Sequence, residues 1–288
     1  MRNPISIFVF VVLFVFSSCD SRKKDEKDIE RRMNRVENLI DENALNAARM
    51  ELDSIHTLYP RMVDARRAAK ALEDTIVRRE NLRTLAYCDS ILPIKQNQAD
   101  SIGKNFRFEK NETYQTIGNY VYKTLQIEAN IDRTYLRAYV DENADFYFVS
   151  NFTGNNKLNH TSVKASVGET YSITDEIPLS NPMNHNFSED GTNWEIVTFK
   201  NEVAGNVPVF VAQYAKERIK ITLEGTQNYV YYLTDVDKKA LSETYNFWVA
   251  KKDVVMLEKE IEKANAILER INQRYSKIQT DTNPVSQQ

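Results

Sequence analysis

What the chain lacks narrows it first. Histidine occurs three times, as His56, His160 and His185. His160 and His185 could join Glu189 and Asp190 around a metal, but their spacing matches no ligand motif, and HExxH and CxxC are both missing. No metal or other cofactor is expected. Glycine is scarce, at seven residues, and none of them builds a GxGxxG or Walker A loop, so nothing indicates a nucleotide cradle. There is no GxSxG elbow; a Ser-x-x-Lys at Ser21-Arg22-Lys23-Lys24 lies in a charged stretch where no pocket can form. Lys and Arg total 38 against 41 Asp and Glu, with no basic patch among aromatics, which speaks against a nucleic-acid partner.

The N-terminus is the most specific segment. Arg2 precedes twelve uncharged residues, 5–16, all apolar except Ser6. That run is short for a bilayer span, which takes roughly 20 residues, and it reads as a secretory signal over 1–18. Phe16-Ser17-Ser18-Cys19 resembles the lipobox of bacterial lipoproteins. The resemblance implies cleavage before Cys19, a diacylglycerol thioether on its sulfur and further acylation, palmitate included, of the new N-terminus. Several acyl chains, at about 0.8 kcal/mol per buried methylene, hold a protein on a lipid bilayer where one chain does not. Cys88 is then alone, without a disulfide partner, and its helical surroundings suit a buried small side chain. Residues 19–28 form a charged tether. It resembles the short Lys/Asp/Glu signal that sends Bacteroidota lipoproteins to the cell surface. The expected location is the cell envelope, as an outer-membrane lipoprotein on its periplasmic or outward face.

Glycine also divides the chain. All seven glycines lie between Gly103 and Gly225, and 20 of the 30 aromatics fall within 106–235. The middle, 106–234, therefore reads as β and the flanks as α. Apolar residues recur on one helix face over 26–57, and again over 61–92, with Pro60 between and Pro93 ending or kinking the second run. These runs predict an antiparallel hairpin within 29–105. The last flank, 235–278, carries a heptad seam through Phe247, Ala250, Val254, Leu257, Ile261, Ala264, Leu268, Ile271, Tyr275 and Ile278. Thr234 with Asp237 is a plausible helix start. Trp248, beside Phe247, suits packing where this helix meets the β region. Residues 279–288 read as a disordered tail.

The expected fold class is α+β: a hairpin and a long C-terminal helix form a coiled-coil stalk, with an antiparallel β-sandwich or barrel inserted. Homo-oligomerisation through the C-terminal helix is the competing use of the seam. About nine strands are expected, among them Thr134–Val140, Asp145–Val149, Trp194–Phe199, Val207–Val211 and Ile219–Leu223, with turns at Thr153-Gly154-Asn155-Asn156 and Ser188-Glu189-Asp190-Gly191. The lipobox, the Leu58-Tyr59-Pro60 turn and the aromatic middle together resemble uncharacterised lipoproteins of Bacteroidota, a likeness that implies no activity.

Candidate site residues are few. Asp-Ser/Thr-Ile recurs four times, at Ser54, Thr75, Ser90 and Ser101. It resembles the O-glycosylation motif of Bacteroidota; the competing reading is a helix whose Ile is core and whose polar neighbours face water. Trp194, with His160 and His185, could form a ligand surface, since aromatic faces stack on sugars. No catalytic set stands out. The expected function is non-catalytic presentation of the β region to a protein or glycan partner. The alternative is a glycan hydrolase of the envelope using two carboxylates without a sequence signature.

Overall fold

The computed structural model describes the backbone of residues 5–124 and 133–282, and the side chains of 22–124 and 133–277. Within them the architecture is α+β, with five α-helices and two antiparallel sheets. The chain divides into two compact units, Met1–Tyr87 with Glu260–Gln288, and Cys88–Lys259. The division falls inside two long helices.

The first unit holds α1 (Ile5–Asp41), α2 (Leu45–Leu58), the start of α3 (Val63–Gly103) and the end of α5 (Asp235–Thr282). The run expected as one helix over 26–57 is two. Asn43 adopts a left-handed φ of 59°. The Asn43 N–H donates to the Ile40 carbonyl at 3.0 Å and the Ala44 N–H to Leu39 at 2.8 Å, which closes α1 with a Schellman motif. Asn tolerates this conformation better than most residues, so one side chain overrides a helical pattern that continues on both sides. The chain then doubles back, and Val36, Ile40, Leu45, Ala48, Leu52 and Ile55 form a core with Ala69 and Ile76 of α3. The α5 seam is buried here at Ala264 and Ile271. Beside it, Arg274 grips both oxygens of Asp74 on α3 at 2.6 and 2.7 Å. A pairing of α5 with α3 is what these contacts show; they do not amount to a coiled-coil stalk.

Pro93 does not end its helix. It lies inside α3, which continues to Gly103. An interior proline costs about 3 kcal/mol, and the turns beyond it recover this by packing. In the second unit Ala99 joins Ala250 and Val254 of α5, and Lys95 pairs with Asp253 at 2.7 Å.

Among its described residues the second unit also contains ten strands: β1 (Phe106–Glu109), β2 (Asn119–Tyr122), β3 (Tyr135–Asp141), β4 (Phe146–Gly154), β5 (Ser162–Val167), β6 (Thr170–Ile173), β7 (Asn184–Glu189), β8 (Thr192–Lys200), β9 (Lys220–Glu224) and β10 (Tyr229–Tyr232). One sheet has the order β1-β2-β3-β4-β8-β7 and the other β10-β9-β5-β6. Alternation sets the faces: β8 turns Asn193, Glu195, Val197 and Phe199 inward and Trp194, Ile196 and Thr198 outward. The Asp190-Gly191 turn, with φ of 46° and 81°, joins β7 to β8 as a two-residue hairpin. Inward side chains of both sheets, such as Phe148, Phe199, Val163 and Ile221, share one core with Leu241 of α5.

Val207–Val211, expected as a strand, is instead the start of α4 (Val207–Gln213). Its β-branched composition suits a strand, but Pro208 sits in the first helical turn, where its fixed φ is favourable. Val207, Phe210 and Val211 are buried at helical spacing. The start of α5 is as read: the Asp237 N–H donates to Thr234 Oγ1 at 3.1 Å.

Candidate functional site

The side chain of Cys19 and residues 1–4 lie outside the described residues, as do 283–288 of the tail. Among the described residues no helix is long and apolar enough to cross a membrane. Ser54 lies in α2, and Thr75, Ser90 and Ser101 lie in α3. The Ser54 and Thr75 hydroxyls donate to carbonyls one turn back, Met50 at 2.9 Å and Ala71 at 3.1 Å. The isoleucines that follow them, Ile55 and Ile76, are fully buried. For these two copies an amphipathic helix accounts for the pattern on its own.

Trp194 and His185 come together. Both project from the outer face at one end of β7 and β8. Phe187 lies between them: it stacks on Trp194 with centroids 5.2 Å apart and planes at 9°, and its ring is 5.7 Å from His185. His160 is elsewhere. It lies on the inner side of the sheet with no exposed surface, which removes it from any ligand surface. The alternation of β8 separates them, since Trp194 faces outward while its neighbour Glu195 faces in toward His160.

The inner cluster has the bond order of a nucleophilic relay, and sequence reasoning missed it. His160 Nδ1 is 2.7 Å from Glu195 Oε2, and His160 Nε2 is 3.1 Å from Ser150 Oγ. Glu195 is the anchor. Its Oε1 accepts the N–H groups of Leu158 at 2.6 Å and Asn159 at 2.8 Å, and its Oε2 accepts the His160 N–H at 2.9 Å. Burial pushes this carboxyl up, but the hydrogen bonds from the His160 ring and the two amides of His160 and Asn159 outweigh it, so its pKa lies below the ordinary carboxylate value. The carboxylate accepts from the Nδ1 side of the ring, and Nε2 faces the serine hydroxyl. A nucleophile must meet a carbonyl carbon, and Ser150 and His160 are both at 0% exposure with Glu195 at 2%. In this conformation the set holds the loop before β5 onto β8. Backbone crowding around it is severe: a Cβ at Gly225 would meet the Leu158 and Asn159 carbonyls at 2.5 and 2.6 Å.

The outer face of the same sheet is different. At the end away from Trp194 it carries an open cleft of about 620 Å³, lined by Phe108, Glu109, Asn119, Tyr139, Tyr147 and Val149, among others. Tyr139 and Tyr147 stand opposite each other on β3 and β4, and their rings stack 4.8 Å apart at 10°. Burial pushes the Tyr139 hydroxyl up to about 12 and that of Tyr147 further, so both stay protonated as hydrogen-bond donors. Glu109 is the one carboxylate in the lining, and Arg107 binds it.

No family model matches this chain, no curated protein matches it, and no solved structure matches it. The residues thus carry the functional reading by themselves. Among the described residues no three His, Cys, Asp or Glu side chains converge as a metal would need. The signal for the inner cluster was available in one place: Glu195 occupies the apolar phase of β8, shared with Val197 and Phe199. The outer cleft had no comparable signal, because aromatic and polar residues on a solvent-facing strand phase are ordinary.

Proposed function

We propose that this protein is a lipid-anchored, non-catalytic binding protein of the cell envelope, and that the outer cleft of its six-stranded sheet takes a glycan. The observation that carries the reading is the cleft itself: it is open, walled by a stacked tyrosine pair, and offers phenol and amide groups to hydroxyl-rich ligands. The lipobox around Cys19 supports the anchor, and the helices and the α5 seam would serve as the stalk, with self-association along the seam as a variant of the same design. The hydrolase alternative needs a second carboxylate facing the first, and Glu109 has no such companion in this lining. The Ser150-His160-Glu195 set is closed to substrates. The test is a glycan-binding screen of the full chain in detergent, beside a Tyr147→Ala variant. Binding that the variant loses supports the reading. Turnover of any glycan by the wild-type chain overturns it. For the anchor, Cys19→Ala should move the protein from the membrane fraction to the soluble one and abolish palmitate labelling.

A further inference from the structure

We infer that the outer cleft recognises a carboxylate through Arg137, and that its ligand is an acidic saccharide rather than a neutral one. This rests on the binding reading above and adds the ligand's charge. Arg137 lies on β3, one pleat from Tyr139 and directly opposite Val149 on β4, so all of these side chains share the outer face with Tyr147. Tyr139, Tyr147 and Val149 line the cleft. The guanidinium carbon is 5.2 Å from the centre of the Tyr139 ring. Its charge lowers the pKa of both tyrosines against the larger effect of burial.

Arg137 is only 3% exposed, and its Nε and Nη2 have no hydrogen-bond partner among the described residues. A buried cation with unpaired N–H groups is among the costliest arrangements in a folded protein. The carboxylates around it are committed elsewhere. Asp141, on the same face of β3, accepts the N–H groups of Asn143 and Asp145 at 2.9 Å and faces Lys200 at 3.3 Å. Glu109 is bound by Arg107.

Apart from Glu109, the polar side chains that line the cleft can donate. Asn111 Oδ1 accepts the Thr113 N–H at 3.0 Å, and Gln115 Oε1 accepts the Asn111 N–H at 2.9 Å, so what each amide has left to offer a ligand is its NH₂ group. The two phenols keep their protons. Such a set fits a ligand rich in acceptors and carrying negative charge. A planar carboxylate matches the guanidinium fork in two parallel hydrogen bonds, and the tyrosine wall and amides suit a sugar ring. Because Nε and Nη2 are buried, with the guanidinium beside the Tyr139 ring, binding is expected to displace that ring.

The test is calorimetric titration of the full chain in detergent with oligomers of glucuronate, galacturonate and mannuronate. Each is run beside its methyl ester, which keeps the ring and removes the charge, and inorganic phosphate is run as a separate anion. The expected result is that at least one uronate binds about tenfold to a hundredfold more tightly than its ester, with a change in the near-ultraviolet circular dichroism of tyrosine. Arg137→Lys, which keeps the charge and loses the fork, should forfeit most of that preference while retaining the wild-type fold. Equal binding of acid and ester overturns the role of Arg137 and leaves the glycan-binding reading standing. Arg137-dependent binding of phosphate without any uronate overturns the saccharide. No binding by any member of the series overturns both readings.

Discussion

Two buried polar clusters lie on opposite faces of one sheet, and they are built to opposite rules. On the inner face the Glu195 carboxylate and the His160 ring are fully partnered, and Ser150 completes the chain. On the outer face Arg137 is as deeply buried, yet two of its nitrogens find no hydrogen-bond partner among the described residues. The inner set has the look of catalytic machinery and no access. The outer residue has no motif and an unmet demand beside an open cleft. The difference teaches that satisfied hydrogen bonding marks structure, whereas a binding site is better sought where buried donors go unanswered.

The largest effect should come from breaking the satisfied side. Glu195→Ala strands three backbone N–H groups and the Nδ1–H of His160 in the core. The expected cost is about 3–5 kcal/mol, read as a lower urea midpoint with an unchanged slope. A loss under 1 kcal/mol would mean that the set is not the anchor described here. The same carboxylate gives the chain an acid limit. Its folded pKa is lowered, so its stabilisation is complete above the ordinary carboxylate range and fades as pH falls through that range toward the lowered value. Denaturation midpoints measured from neutral to acid pH should fall for the wild type and flatten for Glu195→Ala over that interval.

Arg137→Met should behave in the opposite way. It removes a buried charge that has no partner, keeps most of the side-chain volume, and is expected to leave stability unchanged or raise it by about 1 kcal/mol. A loss as large as that of Glu195→Ala would place an unrecognised counter-charge beside Arg137 and erase the contrast between the two faces.

The same contrast explains what could be read in advance. Helices, the aromatic β region, the Thr234 start and the Asp190-Gly191 turn were legible, since each depends on local periodicity or on a residue with special backbone freedom. Two errors, at Asn43 and at Val207–Val211, arose where one residue overrode a longer pattern: Asn43 took a left-handed turn, and Pro208 opened a helix in β-branched sequence. At Pro93, read as an end or a kink, the helix does not end, because packing of the following turns outweighs the break. The polar clusters were not legible because Ser150, His160 and Glu195 meet only through sheet register. His160 read as part of a ligand surface, and only the fold shows that it is enclosed.

The smallest effect tests whether donor count moves a carboxylate that water still reaches. In the helical unit Asp28 is held at about 2 rather than 3.8, first by the Tyr59 hydroxyl and then by Arg32, whose Nε donates at 2.9 Å. Its contribution to stability is complete above 3.8 and is lost as pH falls toward 2. Unlike Glu195, this carboxylate stays in reach of water, which screens the pair and answers any donor removed. Tyr59→Phe should therefore raise the Asp28 pKa back toward 3.8, followed by carboxyl NMR across the acid range, with little change in the urea midpoint at neutral pH. A pKa that stays near 2 would assign the shift to Arg32 and Arg31. A large midpoint loss would show Tyr59 holding the hairpin by more than this bond, and solvent contact would then be a poor guide to which polar groups the fold depends on.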